Sequence, residues 1–194
     1  MPMGDSFLVF GQSWFRIYFT ENPGMAFGME LGGSYGKLAL SVFRIIACSG
    51  IAYFLWRWIK EGKSMLFLST ITLILAGALG NIIDCAFYGL IFSESTPLQP
   101  AVMTPFGEGY APFLHGRVVD MLYFPLFEIK LPFMEQPFRF FEPIFNIADT
   151  AISIGVGLLL IFHKRFFPEE PKAEKTAYQS TDSIAENNAQ EEQK

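Results

Sequence analysis

Apolar residues along this chain collect in three long runs. The first covers residues 38–58 and is broken within by Arg44; the second covers 65–92, with Asp84 as its single charge; the third covers 147–162, with Asp149 as its single charge. A helix needs about 20 apolar residues to cross a hydrocarbon core, so two runs suffice alone and the third needs its flanks. Ahead of the first run the period changes. In the stretch WFRIYFT, Trp14, Arg16 and Tyr18 alternate with Phe15, Ile17 and Phe19, which predicts a strand, and Asn22, Pro23 and Gly24 predict the turn after it. The pattern predicts a mainly α-helical integral membrane protein with three transmembrane helices in this chain, a small extramembrane β-rich segment and an outer loop region. Its expected segments are 1–37 (β-rich), 38–59, 65–92 and 146–165 (transmembrane), 93–145 (outer loop) and 166–194 (tail).

Composition sharpens the class. Charged residues make up only 17% of the 194 positions against 51% hydrophobic, whereas soluble domains carry about a quarter charged. The net charge of −5 misleads, because the tail after Pro168 is acidic and most of the rest is nearly neutral. That tail is polar and poor in aromatics, which predicts cytoplasmic disorder. No basic stretch points to nucleic acid. The two cysteines, Cys48 and Cys85, both fall in apolar runs, which argues against a disulfide framework. The IIAC stretch ending at Cys48 looks like a lipoprotein-processing box, but no basic region precedes it and the apolar run continues past it, so Cys48 reads as a packed membrane residue.

Charge sets orientation. Arg57 at the end of the first run is followed by Lys60 and Lys63 before the second, and His163, Lys164 and Arg165 follow the third; both clusters are expected on the cytoplasmic side. Residues 1–37 and 93–146 then lie outside. An outside start without a signal peptide would require residues 1–37 to cross unaided, so a further helix upstream of Met1 is expected. The outer region holds eight of the twelve prolines and many of the 22 phenylalanines. It suits the membrane–water boundary, where aromatic rings accumulate.

Three aspartates then fall near one face of the bilayer: Asp84 near the outer end of the second run, Asp149 in the first turn of the third, and Asp120 in an apolar stretch between them. Ionisable groups at such depth mark functional sites by default. Two close carboxylates share a proton, so one can take a proton from water while the other donates to a carbonyl or leaving amine. That chemistry is peptide hydrolysis without metal or covalent intermediate. Each residue also has a plainer reading. Asp149 follows Asn146 as a helix start would, Asp120 could pair with Arg117 or sit in a turn, and Asp84 could be a structural hydrogen-bonding residue one helical turn after Asn81.

Four segments, taken in order, resemble the lipoprotein signal peptidase (signal peptidase II) family of bacterial membrane aspartyl proteases. They are Asn22-Pro23-Gly24-Met25-Ala26-Phe27, Gly77 to Asp84 (GALGNIID), Val118-Val119-Asp120, and Phe145-Asn146-Ile147-Ala148-Asp149. The likeness covers roughly residues 7 to 165. It implies four helices with an extramembrane β-cradle and a mobile lid, so that residues 7–30 belong to the cradle. It also implies cleavage just before the diacylglyceryl-cysteine of prolipoproteins at the outer, periplasmic face of the bacterial inner membrane. By motif position, Asp120 and Asp149 are the implied catalytic pair, with Asn22, Gly24, Asn81, Asp84 and Asn146 supporting or contacting substrate. No cofactor or metal is implied, and a monomer in contact with lipid is expected. The chain departs from the family at Cys85, where an arginine is usual, which makes Arg117 a candidate to supply the missing cation. The stretch 93–115 is long for the family and is expected to serve as a lid or cover.

A non-catalytic membrane scaffold using the Phe/Pro-rich loop as a partner surface is the alternative; it requires that Asp120 and Asp149 tolerate asparagine. A metalloprotease fits less well, since there is no H-E-x-x-H and His115 and His163 are expected on opposite sides. A serine hydrolase lacks a nucleophile elbow, and a transporter would show repeats.

Overall fold

The structure, a computed structural model, describes residues 1–23, 33–129, 138–140 and 143–168. Gly24, the connections around 130–137 and the expected disordered tail beyond Pro168 lie outside the described residues.

Two strands open the chain, β1 (Ser6–Leu8) and β2 (Arg16–Asn22), followed by helix α1 (Gly33–Lys60). Residues 33–37 are thus helical rather than part of the β-rich segment, because backbone hydrogen bonding carries the helix past the end of the apolar run. At its other end α1 stops at Gly62, which takes φ +68°. Gly62 N donates to Ile59 O at 3.1 Å and Lys63 N to Trp58 O at 3.1 Å, the Schellman arrangement that glycine permits. Ser64 then caps helix α2, accepting from Phe67 N.

Helix α2 runs over Met65–Ile91, with a π-helical segment at Asp84–Tyr88. A π turn displaces backbone carbonyls from their usual partners, and the loop that follows folds back to meet them. Gly116 N donates to Cys85 O at 2.9 Å, Ala111 N to Gly89 O at 3.0 Å and Gly107 N to Leu90 O at 3.0 Å. The long 93–115 stretch therefore caps the end of α2 by satisfying its last carbonyls.

Strand β3 (Val118–Tyr123) follows, then a two-stranded hairpin of β4 (Phe127–Ile129) and β5 (Phe138–Phe140), short β6 (Ile144–Phe145) and helix α3 (Ile147–Ile161). The main sheet is antiparallel in the order β1-β2-β3-β6. Helix α3 has 15 residues and is roughly 22 Å long at 1.5 Å per residue, shorter than the expected 146–165. A second unit begins at Leu160, and its described residues hold the short helix α4 (His163–Phe166), preceded by a non-helical Phe162.

Helices α1 and α2 are long and apolar enough to cross a bilayer. Large apolar side chains of α1 are left exposed, among them Ile46 at 66% and Ile59 at 56%. Such surface is costly in water and costs nothing against hydrocarbon. The packed interior is small and includes Cys48, Phe67, Ile71, Cys85 and Val118. Where α2 meets α3 the backbones nearly touch, and a Cβ on Gly77 would collide with the carbonyl oxygen of Ala148. This contact puts Asn81, one turn along α2, beside Asp149.

Candidate active site

Four elements deliver side chains to one polar cluster: Asn22 from β2, Asp120 from β3, Asn81 and Asp84 from α2, and Asn146 and Asp149 from the start of α3. The β2–β3 register shifts between Ile17 and Thr20, after which Thr20 lies opposite Asp120 and Glu21 opposite Val119. Irregularities of this kind re-aim side chains. Asn22 Nδ2 then donates to Asp120 Oδ2 at 3.0 Å.

At the start of α3, Asp149 N donates to Asn146 Oδ1 at 2.9 Å and Asn146 N donates back to Asp149 Oδ2 at 3.2 Å. This reciprocal pair is a capping box. The other oxygen, Asp149 Oδ1, accepts from Asn81 Nδ2 at 2.8 Å. The plain reading of Asp149 as a helix-start residue and its place in a polar cluster therefore hold together, one oxygen for each. Asn146 is the hub, since its Nδ2 lies 2.9 Å from Asp120 Oδ1 and 3.1 Å from Asn81 Oδ1. Both aspartates thus hang on a single asparagine. Asp84 has a different task, its Oδ2 accepting from Val119 N at 3.3 Å and so tying α2 to the strand beside Asp120.

Asp120 is 3% exposed. Burial pushes its carboxyl up to about 6, with the neighbouring carboxylates of Asp149 and Asp84 adding to the rise and the amides of Asn22 and Asn146 opposing it. A cavity of about 690 Å³ opens onto this cluster, bordered by Asn22, Arg44, Asn81, Asp120 and Asp149. Two carboxyl groups, one of which keeps its proton up to about pH 6, face a space large enough for a stretch of peptide.

Arg117 is engaged elsewhere. Its guanidinium bonds Glu21 Oε2 at 3.0 Å and Glu94 Oε1 at 3.2 Å and lies 5.2 Å from the centre of the Tyr110 ring. Its backbone N–H donates to the Tyr110 hydroxyl at 2.7 Å, and burial pushes that phenol up to about 12, so it stays neutral. The guanidinium that reaches Cys85 is that of Arg44, whose Nη1 lies 3.7 Å from Cys85 Sγ. Sequence reasoning singled out neither Arg44 nor Glu21 as a site residue. Arg44 carried a signal, being a charge inside an apolar run; Glu21 carried none.

A family model described as signal peptidase (SPase) II matches residues 3–165. The chain belongs to the signal peptidase II family. This family removes signal peptides from prolipoproteins, and its members are integral membrane proteins. The lipoprotein signal peptidase of Porphyromonas gingivalis is 50% identical over 171 residues, covering 85% of this chain and 73% of that protein. That of Amoebophilus asiaticus is 38% identical over 176 residues, covering 88% and 70%. A solved bacterial membrane enzyme superposes with a TM-score of 0.50 at 29% identity, covering 83% of this chain and 76% of that one. Membership in a signal peptidase II family makes the chain a membrane-embedded protease, and the non-catalytic scaffold alternative finds no support.

Proposed function

We propose that this chain is a signal peptidase II of the aspartic type, cutting diacylglyceryl-modified prolipoproteins just before the lipidated cysteine, with Asp120 and Asp149 as its catalytic pair. The observation that carries this reading is that both carboxylates border one cavity and are joined through Asn146. Asp120, raised by burial, holds the proton and donates it to the scissile carbonyl. Asp149 takes a proton from the attacking water. The tetrahedral intermediate then collapses as a proton passes to the leaving amine. Asn22, Asn81 and Asn146 orient the pair through amide hydrogen bonds, and Asp84 fixes the β3 backbone. Gly24 is proposed to contact substrate on the family motif alone. The basic clusters of the sequence support a site at the outer face of the cytoplasmic membrane, where water would reach it and lipid would accommodate the acyl chains.

The test follows conversion of a diacylglyceryl-modified prolipoprotein to its mature form in membranes carrying the chain. Conversion by the wild type and none by Asp120→Asn at equal abundance is the expected result. Full conversion by Asp120→Asn would remove the assignment.

A further inference from the structure

We infer that Arg44 holds the signal-peptide backbone in the cavity, donating from its guanidinium to peptide carbonyls of the substrate; this rests on the peptidase reading and adds a residue to it. Arg44 is roughly 16 Å along α1 from Gly33 at 1.5 Å per residue, at a depth where a charge facing lipid is expensive. Instead it borders the cavity, together with Ala47, Cys48 and Ile51. The spacing 44, 47, 48, 51 is one stripe of a helix, so α1 contributes a wall of its own with a cation on it. Among the described residues bordering the cavity, Arg44 is the cationic one.

A peptide entering from the membrane in extended form brings carbonyl groups that find no water in hydrocarbon, and each must meet a donor. The amides of Asn22, Asn81 and Asn146 are aimed at Asp120 and Asp149. Arg44 offers the donor set that suits the task, five N–H groups in a rigid planar fork. Its bond to Cys85 steadies the fork, because Cys85 is buried. With five N–H groups, the guanidinium can keep this bond and still donate to a peptide oxygen. Arg44 acts in binding and leaves the proton transfers to the aspartates.

The experiment measures kcat and KM for the chain in proteoliposomes, with a diacylglyceryl-modified prolipoprotein as substrate. Arg44→Gln is expected to raise KM by about tenfold or more with kcat within about threefold, the signature of lost uniform binding. Arg44→Lys keeps the charge but not the fork, and its KM should fall between the two. A KM equal to wild type in either variant overturns the inference, as does a fall in kcat with KM unchanged. If Arg44→Gln fails to accumulate in membranes, Arg44→Lys decides alone, a raised KM supporting the inference and a normal one overturning it. The two readings separate on the wild type and Asp120→Asn. If wild type does not cleave, or Asp120→Asn cleaves as well as wild type, the peptidase reading falls and takes this inference with it. Aspartate-dependent cleavage with unaltered KM in the Arg44 variants removes this inference alone.

Discussion

Two carboxylates one rung apart in the same sheet meet opposite surroundings. Asp120 on β3 lies opposite Thr20 on β2, and Glu21 is the next residue on β2. Successive side chains on a strand point to opposite faces, so Asn22 and Asp120 share one face and Glu21 takes the other. Asp120 is held by amides, from Asn22 and Asn146. Glu21, whose side chain is fully buried, is held by the guanidinium of Arg117 at 3.0 Å. An amide offers only a dipole to its carboxyl, whereas a guanidinium offers a full positive charge and a stronger, charge-assisted hydrogen bond. One face of the sheet carries a carboxyl held by amides, the other an ion pair.

The sharpest way to break this contrast is to remove the exchangeable group. Asp120→Asn and Asp149→Asn should each lower prolipoprotein conversion by a factor of hundreds or more, within the range of about 10²–10⁴ that acid–base catalysis supplies. The double variant should be scarcely worse, because the pair acts as a unit. Asp149→Asn should nevertheless stay folded, since it keeps one acceptor oxygen and loses one of the two accepted hydrogen bonds, about 1–3 kcal/mol, besides a dipole contribution of about 0.3–1 kcal/mol. Loss of the fold along with activity would show that Asp149 is mainly a cap.

On the other face, Arg117→Met strands the buried Glu21 carboxylate. Removing one partner of a buried pair costs about 3–5 kcal/mol, reduced here because the Arg117 side chain is 32% exposed. Abundance in the membrane and the melting temperature should both fall. Adding Glu21→Gln to Arg117→Met should restore part of the loss, and a double variant no better than the single would show that the charge was not the cause.

The pH dependence separates the faces more gently. Asp120 is raised above the ordinary carboxylate range to about 6, first by burial. Between about pH 4 and pH 6 the folded site holds a proton that an unfolded chain has released, so this group's contribution to stability declines as pH rises through that window. The value of kcat/KM should likewise fall as pH rises through about 6, by about tenfold per unit once past it. Asn22→Ala removes an amide that opposes the rise, so the fall should move to higher pH. A flat profile in both proteins would mean that Asp120 does not titrate in the working range.

The smallest effect belongs to Glu94, whose side chain is 59% exposed where it meets Arg117. Glu94→Gln should cost no more than about 1 kcal/mol and leave conversion unchanged. A large loss would make the loop contact as important as the buried pair.

Much of this was legible along the chain. Hydropathy alone marks the apolar helices, because lipid selects composition with little regard to partners. The alternation at residues 14–20 marks β2, although the strand itself is Arg16–Asn22. The capping relation of Asn146 and Asp149 is local, and four ordered motifs suffice to indicate the family. What only the tertiary structure decided is long-range. Asn22 lies 98 residues from Asp120 and Asn81 lies 68 from Asp149, and nothing in either neighbourhood names the partner. The structure gave Arg117 to Glu21 and brought Arg44 to Cys85, two assignments that no spacing encodes. It also turned the 93–115 stretch into a cap for the carbonyls of α2, a task that depends on where a π turn leaves them. A sequence specifies which groups must be satisfied; packing chooses which group satisfies which, because the choice depends on contacts between segments far apart in the chain.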